Sequence, residues 1–190
     1  MSGDAGPVST IPAPRVLPYG RQSVDEDDIA AVVKVLRGDW VTSGPAVGEF
    51  EQALSEFAGV PTVAVNSGTA ALHCAYRAAG LGPDTELITS PLTFVATAAA
   101  AVHLGARVKF VDVDDATLTI RSDAASAECG PATRAITAID FAGHPADYTA
   151  LAPVARKSGV VLIADAAHSL GASHRGVPVG SLADITTFSF

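Results

Sequence analysis

Three short segments of this sequence carry residue types that suit an anionic, planar ligand. Asn66-Ser67-Gly68-Thr69-Ala70-Ala71-Leu72 reads as the end of an extended run, a turn of small residues and the start of a helix. Gly68 lets the backbone come close to a ligand, and the free N–H groups of a helix start point to the same spot. The hydroxyls of Ser67 and Thr69 add donors, and together these suit one phosphate. The turn has neither the G-x-G-x-x-G of a dinucleotide site nor the Gly-Lys-Ser/Thr of a nucleoside triphosphate loop. Taken alone, it also fits an ordinary capped strand-to-helix turn. Asp165 ends the apolar run Val160-Val161-Leu162-Ile163-Ala164, where a lone charge is costly and calls for a partner. A protonated pyridine nitrogen is one such partner, which the carboxylate would keep charged. His168 follows three residues later and can face the same place; a helix cap and a structural histidine account for the pair equally well. Phe94, in Ser90-Pro91-Leu92-Thr93-Phe94, can stack on a planar ring or belong to the core.

Other clusters carry less. Asp112-Val113-Asp114-Asp115 lacks the glycine and distal glutamate of a calcium loop and reads as a solvated turn. His103, His144 and His174 have no cysteine or carboxylate at zinc-ligand spacing, and His73 takes no role, so no metal is expected. Cys74 and Cys129 form no C-x-x-C pair and are too few for a disulfide framework, which fits free thiols in a reducing cytoplasm.

The elements that must position these residues follow from periodicity. Ser23 can cap a first helix whose opening turn carries Asp25 to Asp28 and whose apolar residues are Ile29, Val32, Val33 and Leu36; Gly38 stops it. A second helix over 46–58 is expected to bury Val47, Phe50, Leu54 and Phe57. Strands are then expected over 62–66, 86–89, 107–113, 136–139, 160–164 and 185–190, with helices over 69–79, 94–104 and 148–157. Strand and helix alternating at this spacing predict an α/β domain with a mainly parallel sheet sandwiched by helices, and the apolar run 160–164 suits a strand covered on both faces. In such sheets ligands bind beyond the carboxyl ends of the strands, which is where residues 66–69, 90–94, 112–115, 140–144 and 165–168 and Ser189 fall.

Bulk properties narrow the partners. The chain has 190 residues, 48% of them hydrophobic and 17% charged, enough for a real core. Its net charge is −8 with no run of Lys or Arg, which argues against nucleic acid. The apolar stretch 94–104 is broken by Thr97 and His103 and is too short to span a membrane. Residues 1–14, rich in Gly, Ser, Ala and Pro and without a basic start, read as a disordered tail rather than a signal peptide.

Seven segments, in order and at consistent spacing, resemble the DegT/DnrJ/EryC1/StrS sugar aminotransferases. They are Asp39-Trp40-Val41-Thr42-Ser43-Gly44-Pro45, Ala64-Val65-Asn66-Ser67-Gly68-Thr69-Ala70-Ala71-Leu72-His73, Leu92-Thr93-Phe94-Val95-Ala96-Thr97, Phe110-Val111-Asp112-Val113-Asp114, Gly143-His144-Pro145-Ala146-Asp147, Asp165-Ala166-Ala167-His168 and Thr187-Phe188-Ser189-Phe190. The resemblance covers roughly Leu17 to Phe190, nearly the whole chain. It implies the type I, aspartate aminotransferase-like fold and pyridoxal 5′-phosphate as cofactor. Ser67, Gly68, Thr69 and Ser189 would hold the cofactor phosphate, Phe94 would stack on the ring, Asp165 would pair with the ring nitrogen, and His168 would sit near the phenolic oxygen. Tyr19, Asp39, Trp40, Val41 and Thr42 match segments that contact the sugar substrate. The opening Pro18-Tyr19-Gly20-Arg21-Gln22-Ser23 and the ending around Ser189 look closest to the branch that aminates UDP-linked 4-keto-6-deoxy-N-acetylhexosamines on the way to pseudaminic-acid-like sugars. The resemblance further implies a homodimer, glutamate as amino donor and a cytoplasmic location.

One departure from the pattern stands out. The lysine that holds the cofactor covalently would fall about four positions past Phe190, and the three lysines present (Lys34, Lys109 and Lys157) belong to helices and a strand interior. Residues 15–190 thus read as an incomplete cofactor-binding large domain, the small C-terminal domain being absent. No catalytic residue is expected within the chain, which on its own would be inactive. The alternatives are a sugar dehydratase relative, in which a histidine replaces that lysine, and a non-catalytic cofactor-binding or regulatory protein.

Overall fold

The computed structural model describes residues 21–190; the tail 1–14 and Tyr19 lie outside the described residues. The chain divides into two compact units, Met1–Gly44 and Pro45–Phe190. The first contains helix α1 (Glu26–Leu36). Asp25, not Ser23, caps it. The Asp25 carboxylate accepts from the N–H groups of Asp27 and Asp28 at 3.0 and 3.1 Å, and Asp28 returns the bond to the Asp25 N–H at 3.0 Å. This reciprocal box satisfies three of the donors that a helix start leaves free, which Ser23 is too far upstream to do.

The second unit is a five-stranded, fully parallel sheet in the order β2-β1-β3-β4-β7, with β1 (Glu86–Thr89), β2 (Arg107–Phe110), β3 (Thr133–Ile139), β4 (Val161–Asp165) and β7 (Ile185–Thr187). The short strands β5 (Ser173–His174) and β6 (Val177–Pro178) form a separate antiparallel pair. Helices are α2 (Pro45–Ala58), α3 (Gly68–Ala78), α4 (Val95–His103), α5 (Ser122–Glu128) and α6 (Tyr148–Ser158).

Period-two alternation splits the strand residues between two cores. Leu87, Ala135 and Ile163 face Leu72, Ala75 and Tyr76 of α3 and Ala96, Ala100 and Ala101 of α4. Ile88, Ile136, Leu162 and Ala164 face Ala125 of α5 and Tyr148, Leu151 and Ala155 of α6. Each large side chain so buried is worth about 1.5–3 kcal/mol. The sheet is therefore covered on both faces, as the uninterrupted apolar run before Asp165 anticipates.

Three expectations need correction. The segment 62–66 is not a strand and has no ladder partner among the described residues. A recess of about 590 Å³, lined by Val63 and Val65 on one side and Ile185 and Thr186 on the other, separates it from β7. Side chains of α2 take up its backbone donors instead: Thr62 N–H donates to Ser55 Oγ at 2.9 Å, and Ala64 N–H to a Glu51 carboxylate oxygen at 2.8 Å. The helix α2 buries only Leu54 and Ala58, while Val47, Phe50 and Phe57 are 41, 44 and 60% exposed. It rests on the loop that carries Gly171 and Gly180 rather than on the sheet, so its covered stripe is narrow. Helix α5 was not anticipated, because Ser122-Asp123-Ala124-Ala125-Ser126-Ala127-Glu128 offers a single buried residue, Ala125, and no apolar period.

Candidate functional site

With all five strands parallel, their carboxyl ends share one edge of the sheet, and the turns that leave it form a crevice. Ser67, Gly68, Thr69, Leu72, Phe94, Ala96, Asp165, Ala167, Thr187, Phe188 and Ser189 line a cavity of about 190 Å³ there. A second recess of about 230 Å³ shares Ser67, Gly68, Thr187, Phe188 and Ser189 with it. Six of the seven residues expected at the cofactor therefore converge, although they are spread over 123 positions of sequence from Ser67 to Ser189, counting both ends.

The turn at Gly68 brings unpaired backbone donors to a helix start. Ser67 caps α3 in an extended conformation, its hydroxyl accepting from the Ala70 N–H at 3.1 Å and its carbonyl from the Ala71 N–H at 3.0 Å. The N–H groups of Gly68 and Thr69 are left with no partner among the described residues, at the positive end of an 11-residue helix. Gly68 is needed for a second reason: a Cβ there would meet Ser189 Cβ and Oγ at 2.9 Å. The end of β7 is thus pressed against the start of α3, and the Ser189 hydroxyl is delivered to the same turn.

Asp165 ends β4 and is 8% exposed. Its Oδ2 accepts from the Thr97 hydroxyl at 2.6 Å, and no donor among the described residues meets Oδ1. Thr97 is fully buried in the first turn of α4 and lies 2.7 Å from the Thr93 hydroxyl. Its carbonyl accepts from the buried Tyr76 hydroxyl at 2.9 Å. Burial pushes the Tyr76 phenol well above its ordinary range, with the nearby Asp165 charge acting in the same direction. Phe94 is the residue before α4 and is 74% exposed, so its ring stands at the rim of the cavity and not in the core.

Behind the crevice a second carboxylate is buried completely. Asp140, after β3, accepts from Ala146 N–H at 2.9 Å, from the Tyr148 hydroxyl at 2.7 Å and from the Ser169 hydroxyl at 2.5 Å. Burial raises its carboxyl above the ordinary range despite the opposing bonds from Ser169, Tyr148 and Ala146. Burial, and then the Asp140 charge, raises the Tyr148 phenol as well. Gly143 adopts φ +86°, and a Cβ there would meet the His168 carbonyl at 3.1 Å. The loop after β3 therefore backs the turn after β4. His168 is exposed on that turn and is not among the residues lining the cavity.

The remaining expectations fall elsewhere. Asp39, Trp40, Val41 and Thr42 are exposed and belong to the other compact unit. Lys34 is exposed on α1; Lys157 is exposed near the end of α6. Lys109 lies on the edge strand β2, paired with Glu86 at 3.2 Å and Glu128 at 3.5 Å. Among the described residues no cluster of histidine, cysteine and carboxylates could hold a metal ion, and no helix is long and apolar enough to cross a membrane. Tyr148 and Ser169 have no role in the sequence reading; Asp140 enters it only as a residue that follows a strand, and Thr97 only as part of a segment that carries the family resemblance. The only local hint was the Thr93-x-x-x-Thr97 spacing, which puts two hydroxyls on one side of a helix start.

Comparison with known proteins gives this geometry a context. A model of the DegT/DnrJ/EryC1/StrS aminotransferase family matches residues 22–190. The chain is 40% identical over 182 residues to a Campylobacter jejuni UDP-4-amino-4,6-dideoxy-N-acetyl-beta-L-altrosamine transaminase, covering 92% of this chain and 47% of that one. It is 39% identical over 175 residues to the spore coat polysaccharide biosynthesis protein SpsC of Bacillus subtilis, covering 92% and 45%. Among solved structures, the PLP form of Spr1654 from Streptococcus pneumoniae, a putative sugar aminotransferase by its name, superposes with a TM-score of 0.88 at 33% identity, covering 92% and 48%. The chain thus spans about half the length of the relatives it matches.

Proposed function

We propose, for a chain that belongs to the DegT/DnrJ/EryC1/StrS aminotransferase family, that it provides the cofactor-binding crevice for pyridoxal phosphate-dependent transamination of a nucleotide-linked 4-ketosugar. The observation that carries this reading is Asp165: a buried carboxylate that lines the cavity, one of its oxygens held by Thr97. The residues present suit the cofactor. Gly68 and Thr69 offer two free N–H groups to a phosphate, with the Ser189 hydroxyl beside them. Phe94 offers an exposed ring face at the rim, and Asp165 offers the charge that a pyridinium nitrogen needs.

Pyridoxal phosphate, when bound, supplies a ring that draws electrons from the carbon bearing the amino group. The chain's own part is to hold the ring nitrogen in its protonated form through Asp165 and to fix the phosphate at the Gly68 turn. His168, one turn beyond Asp165, is the candidate for the phenolic oxygen. A nucleotide-linked ketosugar as substrate is supported by the name of the C. jejuni relative. Asp39 to Thr42, glutamate as amino donor, and a homodimeric active site complete the reading. Lys109 and Lys157 do not serve as the covalent anchor: one is tied to Glu86 and Glu128, and the other points from a solvated helix.

Pyridoxamine phosphate tests the crevice without a lysine, since it binds without a covalent bond. Titrated into the full chain and followed by its fluorescence, it should bind wild type and bind Asp165→Asn and Gly68→Ala at least about tenfold more weakly. Each of these loses a charge-assisted contact or the close approach of the backbone. Equal affinity for all three proteins, or none for any, would refute the assignment.

A further inference from the structure

We propose that Thr97 is the positioning residue of this site, tying the ring-facing Phe94, the buried Asp165 and the phosphate-binding helix α3 into one frame, so that Asp165 meets a ring nitrogen at a fixed angle. The inference rests on the cofactor reading above and gives a role to a residue that the family resemblance includes without assigning one.

Three of the bonds at this one residue join it to the other parts of the site. Its N–H donates to the Phe94 carbonyl at 3.1 Å. Its carbonyl accepts from Tyr76 of α3 at 2.9 Å, eight residues along from Gly68. Its hydroxyl donates to Asp165 Oδ2 at 2.6 Å. Phe94, Asp165 and Gly68 lie on three separate elements and line one cavity, and Thr97 is joined to each of those elements. The residue is fully buried, so water does not substitute for any of these partners.

The hydroxyl chemistry fixes the direction of the chain. A threonine has one proton to give. Thr97 gives it to Asp165 Oδ2, and so it can only accept from Thr93, 2.7 Å away. The order is Thr93 to Thr97 to Asp165, every proton pointing toward the carboxylate. That order favours the charged form of the carboxylate and holds its rotamer in the wall of the cavity. A valine at position 97 keeps the shape of the side chain and removes only this.

The test uses the full chain and pyridoxamine phosphate labelled with ¹⁵N in the ring, whose nitrogen signal reports protonation, at a pH where the free ring nitrogen is unprotonated. In wild type the signal should move to the protonated position on binding, and in Asp165→Asn it should not. Thr97→Val should bind about tenfold more weakly and leave the signal part-way back toward the unprotonated position; Thr97→Ser should restore both. A purely structural role would change the melting temperature but not the nitrogen signal. Wild-type affinity and signal in Thr97→Val, with Asp165→Asn still different, would overturn this inference and leave the cofactor reading intact. Wild type and Asp165→Asn behaving alike would overturn the cofactor reading itself. Should Thr97→Val fail to fold, Thr93→Val decides: it is expected to bind roughly twofold to threefold more weakly with a shift in the same direction, and no change would count against the relay.

Discussion

Two recesses open near strand ends of the second unit, and they are built in opposite ways. One, of about 610 Å³, is lined by Asp112, Asp114, Asp115, Asp123 and Asp147 with Arg121. The other, of about 190 Å³, holds a single carboxylate, Asp165. The larger recess has more room and more charge, yet its carboxylates are spent locally. Asp114 accepts from the N–H groups of Ala116 and Thr117 at 2.9 and 3.0 Å, and Asp123 pairs with Arg121 and the Ala124 N–H. These groups are exposed, and their bonds close a turn and start a helix. In the smaller recess Asp165 is buried and half-satisfied, and Asp140 behind it is buried and fully satisfied by three donors from two other segments. What separates a candidate site from a solvated turn here is neither volume nor the number of acids. It is a desolvated polar group, held in one orientation by a buried hydroxyl, that lines a cavity.

Removing the central acceptor behind the crevice should break the contrast most severely. Asp140→Ala leaves the buried Tyr148 and Ser169 hydroxyls and the Ala146 N–H without their partner. The expected loss is about 3 kcal/mol of unfolding free energy in urea, and pyridoxamine phosphate affinity should fall with it as the turn carrying His168 loosens. Asp140→Asn, which keeps an acceptor oxygen, should lose less. A loss no greater than that of a surface substitution would mean that this network does not hold the site.

A smaller effect sharpens the comparison through pH. Burial, its largest cause, holds Asp140 above the ordinary carboxyl value. Its contribution to stability is therefore complete below the unfolded value of about 3.9 and is lost as pH rises through the folded one. Asp114 is held below the ordinary value, first by the Thr117 and then by the Ala116 backbone bonds, and Asp123 first by Arg121. Their contributions are present above about 3.9 and are lost as pH falls. Urea unfolding followed from about pH 3 to about pH 7 should show Asp140→Asn removing a component that declines with rising pH. Asp114→Asn should remove one that declines with falling pH. Changes of the same sign in both variants would erase the distinction between the two regions.

The smallest effect belongs to the acidic recess as a ligand site. Asp112→Asn and Asp115→Asn should leave pyridoxamine phosphate affinity unchanged, and millimolar calcium should leave the wild-type melting temperature where it is. A calcium-dependent rise abolished by these substitutions would show that the larger recess binds a cation after all.

Much of the site was legible because its parts are local. A strand end followed by Ser67-Gly68-Thr69, or an apolar run ending in Asp165, announces itself within a few residues, and the parallel topology then brings such turns to one edge. What escaped was the pairing between segments. Thr97 meets Asp165 across 68 positions of sequence, and Ser169 meets Asp140 across 29. Beyond the Thr93-to-Thr97 spacing neither hydroxyl has a local signature, because threonine and serine are equally at home on a solvated surface. His168 was expected beside the cofactor from its spacing to Asp165, yet it is not among the residues lining the cavity; three residues along a turn fix proximity in sequence but not the face presented.

By itself the sequence determined the order of the five strands of the main sheet and of helices α4 and α6 between them, the double-sided burial of β4 and the residue types waiting at the strand ends. These depend on periodicity and on backbone chemistry within a turn or two. Only the tertiary structure decided that the β-branched run 62–66 stays unpaired, that α2 lies against a glycine loop with three large apolar residues exposed, and that Thr97 rather than a charged group holds Asp165. The reason is physical: a hydrogen-bond ladder, a buried face and a desolvated carboxylate each need a second surface, and the identity of that surface is a property of the packed chain.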